Sequence, residues 1–267
     1  MKEYTYINGK FLPSAKAMIH VSDLGLVRGY GVFDFFRAIN GKPTFLEDHL
    51  DRFEFSTGKL SLKISLSRDE IKENIFKIIE LNPHETLGVK LIATGGYSED
   101  GYLPTTPNLF MLAKPFKFAD YDKPLKLMPV EYCRDLPTIK SLNYIKPISI
   151  LSEQRAAGAD DVLYHKNGFV TESSRSNIFI VKNGVVITPE KDVLAGVTRK
   201  NVIRLAQENN FPLEIRDVTL NEVMIADEVF TTGSTKRIVP VTQIGEKHFL
   251  AGKITKTLYE ILIGSEV

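Results

Sequence analysis

The fold of this chain is indicated first by one stretch, GVFDFFRAINGKPTFLEDHLDRF, which covers residues 31–53. Its first half is apolar up to the pair Asn40-Gly41, and Asn-Gly between apolar runs is typical of a two-residue hairpin turn. After the turn, apolar residues recur at a helical spacing from Leu46 to Phe53. A strand, a tight turn and a helix in direct succession predict a fold that mixes sheet and helix.

The same signals continue on both sides of this stretch. Further hairpin pairs stand at Asn8-Gly9 and Asn183-Gly184. Ser67 and Glu70 form a capping box at the start of a second amphipathic helix. By their apolar patterns, strands are predicted at 88–97, 107–116, 124–132, 161–165, 168–173, 176–189 and 227–232, and helices from Pro147 to Gly158, at 199–210 and at 253–264.

The chain length suits one large domain or two small ones, since it has 267 residues. The stretch KPFKFADYDKPLKL, residues 114–127, is charged, contains proline and has no apolar period, as expected of a linker. We therefore expect an α+β or mixed α/β chain with two domains, residues 1–118 and 119–267.

The composition excludes several classes of protein. Apolar residues make up 43% and the formal net charge is +1, so nothing indicates binding to nucleic acid or to a membrane. Cys133 is the only cysteine, which favours a reducing compartment. No run approaches the ~18 apolar residues of a membrane helix, and the first residues lack a signal-peptide core. The five histidines show no metal-ligand spacing. We expect a soluble cytoplasmic protein without a metal.

Lys140 lies among apolar and small residues in PTIKSLNY, residues 137–144. It is either a solvated cation or an amine held for chemistry. A lysine that forms a Schiff base with pyridoxal phosphate (PLP) needs an anion cradle for the phosphate and an acid beside the pyridine nitrogen. It also needs a cationic or hydrogen-bonding group for the substrate carboxylate.

Two segments are candidates for the phosphate cradle. Residues 196–198, Gly-Val-Thr, stand directly before a helical stripe, where backbone N–H groups and the positive helix end coincide. Thr198 is the predicted N-cap. Residues 232–235, Thr-Gly-Ser-Thr, end a predicted strand with small hydroxyls. Both patterns are also typical of an ordinary helix cap and an ordinary turn.

The candidate acid is Glu172, at a point where a strand passes into a serine-rich turn. A lone glutamate at such a place is most often a surface residue. Its interest comes from its position downstream of Lys140, in a region with few other carboxylates among apolar residues.

Together these motifs resemble the fold-type IV PLP enzymes, also called class IV aminotransferases. That family includes branched-chain aminotransferases, D-amino-acid aminotransferases and aminodeoxychorismate lyases. The resemblance spans nearly the whole chain and is carried, in order, by RGYGVFDFFRA, FLEDHLDRF, IKSLNY, VTESSRSNIFIV, LAGVTRKNVIRLA and EVFTTGSTKRIVPV. It implies a small N-terminal α/β domain, a larger C-terminal domain with a β-barrel-like core, bound PLP and a homodimer.

The resemblance also implies a role for each matching residue. Lys140 would be the Schiff-base lysine and proton shuttle, and Glu172 would pair with the pyridine nitrogen. Phosphate contacts would come from Arg52, Val197, Thr198 and Ser234, and Tyr144 would fit near the phenolic oxygen of the cofactor. Lys236 and Arg237, which follow this set, receive no role.

The region expected to bind the substrate carboxylate departs from the familiar family patterns. Arg28 stands where the branched-chain pattern has tyrosine, and Gly95 stands where the D-amino-acid enzymes carry arginine. Arg28 is therefore our leading candidate for carboxylate binding, because guanidinium and carboxylate pair in a bidentate geometry. Lys90 or Arg37 would assist.

A single strand face carries the residues expected to shape the side-chain pocket. Phe33, Phe35 and Arg37 alternate along one face of their strand. The branched-chain pattern has glycine at the position of Phe35, so this ring would narrow the pocket if that face looks into the site.

The sequence thus predicts a PLP-dependent transaminase that moves an amino group from a D-amino acid or a branched-chain L-amino acid to a 2-oxo acid. An aminodeoxychorismate lyase of the same fold is one alternative. A non-catalytic relative acting as a binding module is another, although the presence of both Lys140 and Glu172 argues against it.

Overall fold

Two β-sheets, each in its own structural unit, form the framework of the chain, and the computed structural model describes residues 3–266. The first unit comprises the chain up to Lys117 together with Ile139–Asn143. The second comprises Phe118–Thr138 and the chain from Tyr144 onward. The division at 118/119 stays a prediction. The short segment that contains Lys140 belongs to the first unit, which no pattern in the sequence indicated.

The first unit is an antiparallel sheet with helices. Its strands are β1 (Tyr4–Ile7), β2 (Lys10–Pro13), β3 (Gly31–Ile39), β4 (Lys42–Pro43), β5 (Thr86–Thr94) and β6 (Asn108–Pro115), and its helices are α1 (Leu24–Arg28), α2 (Leu46–Lys59) and α3 (Arg68–Leu81), with a 3-10 turn at Ser14–Lys16. The strand order is β2-β1-β6-β5-β3-β4. The capping box of Ser67 and Glu70 is present at the start of α3, as predicted.

The core of the first unit lies where α2 and α3 pack with the sheet. Leu50 and Phe53 of α2, and Ile71 and Ile75 of α3, are buried with Val89 of the central strand β5. Burying side chains of this size contributes roughly 1.5–3 kcal/mol each. The apolar stripes read from the sequence are therefore the faces that meet the sheet.

The second unit is built on a closed sheet. Its strands are β7 (Leu125–Glu131), β8 (Asp161–Lys166), β9 (Phe169–Ser173), β10 (Asn177–Lys182), β11 (Val185–Thr188), β12 (Leu213–Ile215), β13 (Val218–Thr219), β14 (Glu228–Gly233), β15 (Arg237–Ile244) and β16 (Lys247–His248). Its helices are α4 (Ile145–Ser149), α5 (Leu151–Ala156), α6 (Val197–Glu208), α7 (Leu220–Met224) and α8 (Lys253–Gly264).

Closure comes from strand β9, which pairs with both β8 and β10. The order β10-β14-β15-β7-β8-β9 thereby returns to β10 and forms a barrel of six strands. This confirms the mixed α/β fold class and the barrel-like core.

The predicted Asn-Gly hairpins are present because both residues of each pair adopt positive φ, as the turn requires. A fourth turn of this kind, Asn167-Gly168, joins β8 to β9. One predicted helix differs: the segment from Pro147 to Gly158 forms two short helices that meet at Ile150.

Within residues 3–266, no helix combines the length and the apolar character needed to cross a membrane. In the same residues, no group of histidine, cysteine or acidic side chains is arranged to hold a metal ion.

Candidate active site

The backbone of Lys140 is held against the edge of strand β3 in the first unit. The Phe33 N–H donates to the Lys140 carbonyl over 2.9 Å, and the Leu142 N–H donates to the Gly31 carbonyl over 3.0 Å. Gly31 permits this close approach, since a Cβ there would lie 2.7 Å from Leu142 Cδ1. The Lys140 N–H also donates to Ser56 Oγ of helix α2, at 3.4 Å. The lysine is thus placed by strand-like pairing and by a helix.

The side chain of Lys140 lies over an aromatic ring. Its Nζ is 4.6 Å from the centre of the Phe33 ring, and Lys90 Nζ is 5.5 Å from the same centre. Both are cation–π distances. The structure therefore brings Lys140 and Lys90 together beside the ring of Phe33. Lys140 is half-buried, and Lys90 is exposed.

Arg52 lies in a buried ion cluster between α2 and β3. Its Nε donates to Asp34 Oδ2 and its Nη2 to Asp34 Oδ1, both over 2.8 Å. His49 Nδ1 is 2.7 Å from the same Oδ1. Burial alone would raise the pKa of Asp34, but its charge interactions and hydrogen bonds with Arg52 and His49 together outweigh burial and hold that pKa below its usual range. Burial lowers the pKa of His49, so at pH 7 a neutral His49 donates to the carboxylate.

The remaining substrate candidates occupy different surroundings. Arg28 ends helix α1, is exposed, and donates to the carbonyl of Val27. Arg37 is buried, with 2% of its surface exposed. Phe35 lies across Gly88, where an added Cβ would stand 2.7 Å from the ring. Arg28 and Arg37 thus differ sharply in their access to a solute.

In the second unit, Glu172 is buried at the end of strand β9. Its Oε2 accepts from the Leu194 N–H at 3.1 Å and from Asn177 Nδ2 at 3.4 Å. Its Oε1 accepts from Arg134 Nη1 at 3.1 Å. A carboxylate with a half-buried arginine partner and backbone support is fixed in direction. The surface-residue interpretation of Glu172 does not apply, since only 5% of it is exposed.

Asn177 lies between two of the second unit's candidate segments and beside Glu172. In strand register it pairs with Glu172 on one side and with Thr232 on the other. Its side chain fills the space beside Gly196, where an added Cβ would lie 1.9 Å from Asn177 Oδ1. Gly196 is the N-cap of α6 and Thr198 lies inside the helix, so the prediction that Thr198 is the N-cap was wrong. Asn177 leaves no room for a side chain at position 196, which accounts for the glycine there.

Two hydroxyls beside this cluster are buried and, within residues 3–266, have no hydrogen-bond partner: Ser176 Oγ and Thr232 Oγ1. Ser176 Oγ is 3.4 Å from the position of a Cβ on Gly233. An unsatisfied buried hydroxyl costs about 1–3 kcal/mol. Together with the backbone N–H groups at the start of α6, these donors fit an anionic phosphate.

A buried pair next to this cluster was missed by the sequence. Asp161 Oδ2 accepts from Lys236 Nζ and from Ser173 Oγ, both over 3.0 Å, and Ser174 donates to the other oxygen. Burial opposes ionisation of Asp161, but the charge of Lys236 and the hydrogen bonds from Lys236, Ser174 and the Val162 N–H together outweigh burial and lower the pKa of Asp161. The pair ties the turn after Glu172 to the turn that carries Ser234. Nothing in a single sequence joins positions so far apart.

Two further residues complete the placement of the candidates. Tyr144 is half-buried at the N-terminus of α4, with its carbonyl accepting from the Ile148 N–H. Asn177 was not among the predicted site residues. Its position directly before the apolar run IFIV is a weak signal for a contact at the end of a strand.

Comparison with known proteins gives a family and two relatives. The family model described as Amino-transferase class IV matches residues 31–244. The protein named "Putative branched-chain-amino-acid aminotransferase" of Methanocaldococcus jannaschii is 34% identical over 271 residues, covering 96% of this chain and 93% of its own. The D-alanine aminotransferase of Bacillus licheniformis is 29% identical over 247 residues, covering 89% and 87%.

The fold is also similar to a solved structure. The branched-chain amino acid aminotransferase of T.th., complexed with N-(5'-phosphopyridoxyl)-L-glutamate, superposes with a TM-score of 0.90. The two sequences are 26% identical, and the match covers 98% of this chain and 93% of that one.

Proposed function

The chain belongs to the class IV aminotransferases, which are pyridoxal-phosphate enzymes, and from this premise we propose that Lys140 is the lysine that bonds to the cofactor. The proposed reaction moves an amino group from an amino acid to a 2-oxo acid. When bound, PLP supplies an aldehyde that captures amines and a ring that accepts the electron pair left on Cα. The chain's own residues hold the cofactor and move the proton.

One observation carries the assignment of Lys140. Its backbone is fixed at both N–H and carbonyl, and its amine lies 4.6 Å from the Phe33 ring centre. A lysine that must act at one atom benefits from such fixed placement, because it lowers the entropy lost on reaching the reactive geometry. As a free amine, Lys140 would take the proton from the substrate Cα.

Other residues would hold the cofactor. The carboxylate of Glu172, fixed by Arg134 and the Leu194 N–H, would accept a hydrogen bond from a protonated ring nitrogen. The phosphate would be held by Arg52, by the α6 N-terminus at Val197 and Thr198, and by the hydroxyls of Ser176, Thr232 and Ser234. Tyr144 is proposed near the phenolic oxygen.

For the substrate carboxylate, the geometry supports Lys90 ahead of Arg28. Lys90 Nζ lies over the same Phe33 ring as Lys140, whereas Arg28 is exposed on α1. A carboxylate bound by Lys90 would lie close to the reacting amine. Arg37 is proposed to support this end of the strand from its buried position.

For the donor, we propose a branched-chain L-amino acid. An arginine at position 95, as in the D-amino-acid enzymes, has no room here, because a Cβ on Gly95 would lie 2.7 Å from Tyr30 Cδ1 and 2.9 Å from Leu24 Cδ1. The D-alanine aminotransferase of B. licheniformis, 29% identical, keeps a D-amino acid as the second candidate.

A homodimer is proposed from exposed apolar side chains on the first unit. Met18, Val21, Leu26, Tyr102 and Leu103 are 61% to 78% exposed. Apolar surface of this kind marks interaction sites. A second copy is the expected occupant, and a monomer mass of 30.0 kDa in light scattering would reject it. The single cysteine, Cys133, supports a cytoplasmic location, which cell fractionation tests.

The test of the reaction is the variant Lys140→Ala, with the exposed Lys77→Ala as control. We expect turnover to fall at least about 10²–10⁴-fold, since the proton-transferring group is lost, and the visible absorbance of bound cofactor to change. Lys77→Ala should retain both. Full turnover by Lys140→Ala would refute the assignment.

The donor is tested with a panel of L-leucine, D-alanine, D-glutamate and aminodeoxychorismate. L-leucine should give the fastest transfer to 2-oxoglutarate. A preference for either D-amino acid would overturn the proposed stereochemistry, and release of pyruvate from aminodeoxychorismate without amino transfer would indicate the lyase.

A further inference from the structure

The ion cluster around Arg52 exceeds what helix packing requires. Helix α2 is already attached to the first unit by buried apolar side chains, including Leu50 at 0% and Phe53 at 1% exposure. Replacing buried ion clusters by apolar residues often leaves a fold equally stable. Attachment of helix α2 therefore does not explain why Asp34 and Arg52 are buried between these apolar positions.

The contacts around Asp34 fix the direction of the Arg52 guanidinium. Asp34 accepts from Nε and Nη2, so both bonds lie on one edge of a planar group. Two bonds to one edge determine the plane of the guanidinium and the direction in which Nη1 points. Without them, the long side chain would have to lose its rotamer freedom when a ligand binds.

Asp34 is itself held from two sides. Its Oδ1 lies 2.7 Å from His49 Nδ1 and accepts the Phe35 N–H over 2.7 Å. His49 stands one helical turn before Arg52 on α2, and its ring lies 5.5 Å from that of Phe36. The carboxylate therefore has a fixed position relative to both strand and helix.

The same helix face also meets the segment of the candidate lysine. Ser56, one turn after Arg52, is fully buried and accepts the backbone N–H of Lys140 at 3.4 Å. Helix α2 thus carries Arg52 on one turn and, on the next turn, the serine that holds the backbone of Lys140. Strand β3 does likewise, with Phe33 holding Lys140 and the next residue, Asp34, holding Arg52.

We propose that Asp34 is a positioning residue that presets Arg52 for the phosphate of PLP, with His49 as the support of the Asp34 carboxylate. The inference rests on the proposed function, which assigns Arg52 to the phosphate. Asp34 acts through Arg52 and touches no reacting atom. Its loss should therefore weaken binding of the phosphate group selectively, leaving the rest of the cofactor's contacts intact.

The test compares two ligands that differ in the phosphate. Full-length protein is stripped of cofactor and titrated with PLP and with pyridoxal, following visible absorbance, for wild type, Asp34→Asn and Arg52→Met. We expect Asp34→Asn to weaken PLP binding about 10- to 100-fold, as for lost charged hydrogen bonds. Its affinity for pyridoxal, relative to wild type, should remain unchanged.

Two further variants test whether Asp34 acts through Arg52. In the double variant Asp34→Asn/Arg52→Met, the loss for PLP should not exceed that of Arg52→Met alone. His49→Gln keeps the charges of Asp34 and Arg52 and should lose less PLP affinity, again without a change for pyridoxal. This variant replaces Asp34→Asn in the test if circular dichroism shows that Asp34→Asn does not fold. Arg68→Met removes an exposed cluster with Glu47, Asp51 and Glu54 and should change neither affinity.

The outcomes separate the two levels of the proposal. If Arg52→Met loses PLP selectively but Asp34→Asn and His49→Gln weaken both ligands equally, the cluster is structural and the inference fails alone. If Arg52→Met does not distinguish PLP from pyridoxal, the assignment of Arg52 to the phosphate fails and the inference fails with it.

Discussion

Each unit contains a buried cluster that we propose contacts the phosphate, and the two clusters differ in their chemistry. In the first, Arg52 is paired with Asp34 and His49 in a cluster whose charges are buried and matched. In the second, the donors around Asn177 are neutral, and the hydroxyls of Ser176 and Thr232 are buried without a partner within residues 3–266. The charged cluster is already paired within the protein, whereas the neutral cluster contains two hydroxyls that could still donate to a ligand.

The difference follows from the cost of burial. The free-energy cost of burying an unpaired charge is very large, so an arginine can be buried in the absence of a ligand only if it is paired with a carboxylate. An unsatisfied hydroxyl costs only about 1–3 kcal/mol, which a fold can tolerate until a ligand satisfies it. If the proposed cofactor contacts are right, the protein positions the charged group in advance, and the ligand satisfies the neutral donors.

The largest expected effect is on stability in the charged cluster. Arg52→Met leaves Asp34 buried without its main partner, and we expect the free energy of unfolding to fall by about 3–5 kcal/mol. The control is Arg204→Met, which breaks an exposed pair with Glu208 and should cost only about 0.3–0.5 kcal/mol. Urea unfolding of the cofactor-free protein measures both. Equal losses in the two variants would contradict the contrast between buried and exposed pairs.

The hydroxyl cluster should respond in the opposite sense. Thr232→Val removes an unpartnered hydroxyl with little change of shape, so the free energy of unfolding should stay constant or rise by up to about 1–3 kcal/mol. PLP affinity should fall by about tenfold, since one donor to the phosphate is lost. Thr231→Val is the matched control, because the Thr231 hydroxyl donates to the Val239 carbonyl at 3.4 Å. It should lose a little stability and no affinity, and a Thr232→Val protein that binds PLP normally would remove Thr232 from the cradle.

The smallest expected effect is the pH dependence of stability that the charged cluster contributes. Burial lowers the pKa of His49, so near pH 6.5 the unfolded chain binds a proton that the folded chain resists. Stability therefore falls as the pH drops below about 6.5. Asp34, whose pKa is held below its usual range, adds a loss of the same sign below about pH 4.

Thermal melts of the cofactor-free protein between pH 5 and pH 8 measure the His49 contribution. The melting temperature should decline toward pH 5, and His49→Gln should flatten this decline. An unchanged slope in that variant would mean that another group is responsible.

Local features were predictable because their causes are local. The hairpins at Asn8-Gly9 and Asn40-Gly41 follow from residues that tolerate positive φ, and the start of α3 follows from a capping box that is complete within four residues. The helix near Pro147 was less predictable, because its break at Ile150 has no glycine or proline to mark it.

The candidate site was predictable only where a motif carried it. Lys140, Glu172 and Thr198 could be named from their neighbours in sequence and from the family resemblance. The sequence indicated Asp34 only as one residue of an apolar strand, and Asn177 only as the second residue of another. Their partners lie on different elements, so the sequence carried no signal for the contacts of Asp34 and only a weak one for Asn177.

By itself, the sequence determined the class of fold and the family and singled out Lys140 as the candidate amine, because apolar period, turn residues and motif order are properties of neighbouring residues. The tertiary structure alone decided that Asp34 pairs with Arg52, that Gly196 rather than Thr198 is the N-cap of α6, and that Lys90 shares the ring of Phe33 with Lys140. These depend on the register of strands and the faces of helices, where a carboxylate or a ring acquires its role from whatever the fold brings within about 3–6 Å.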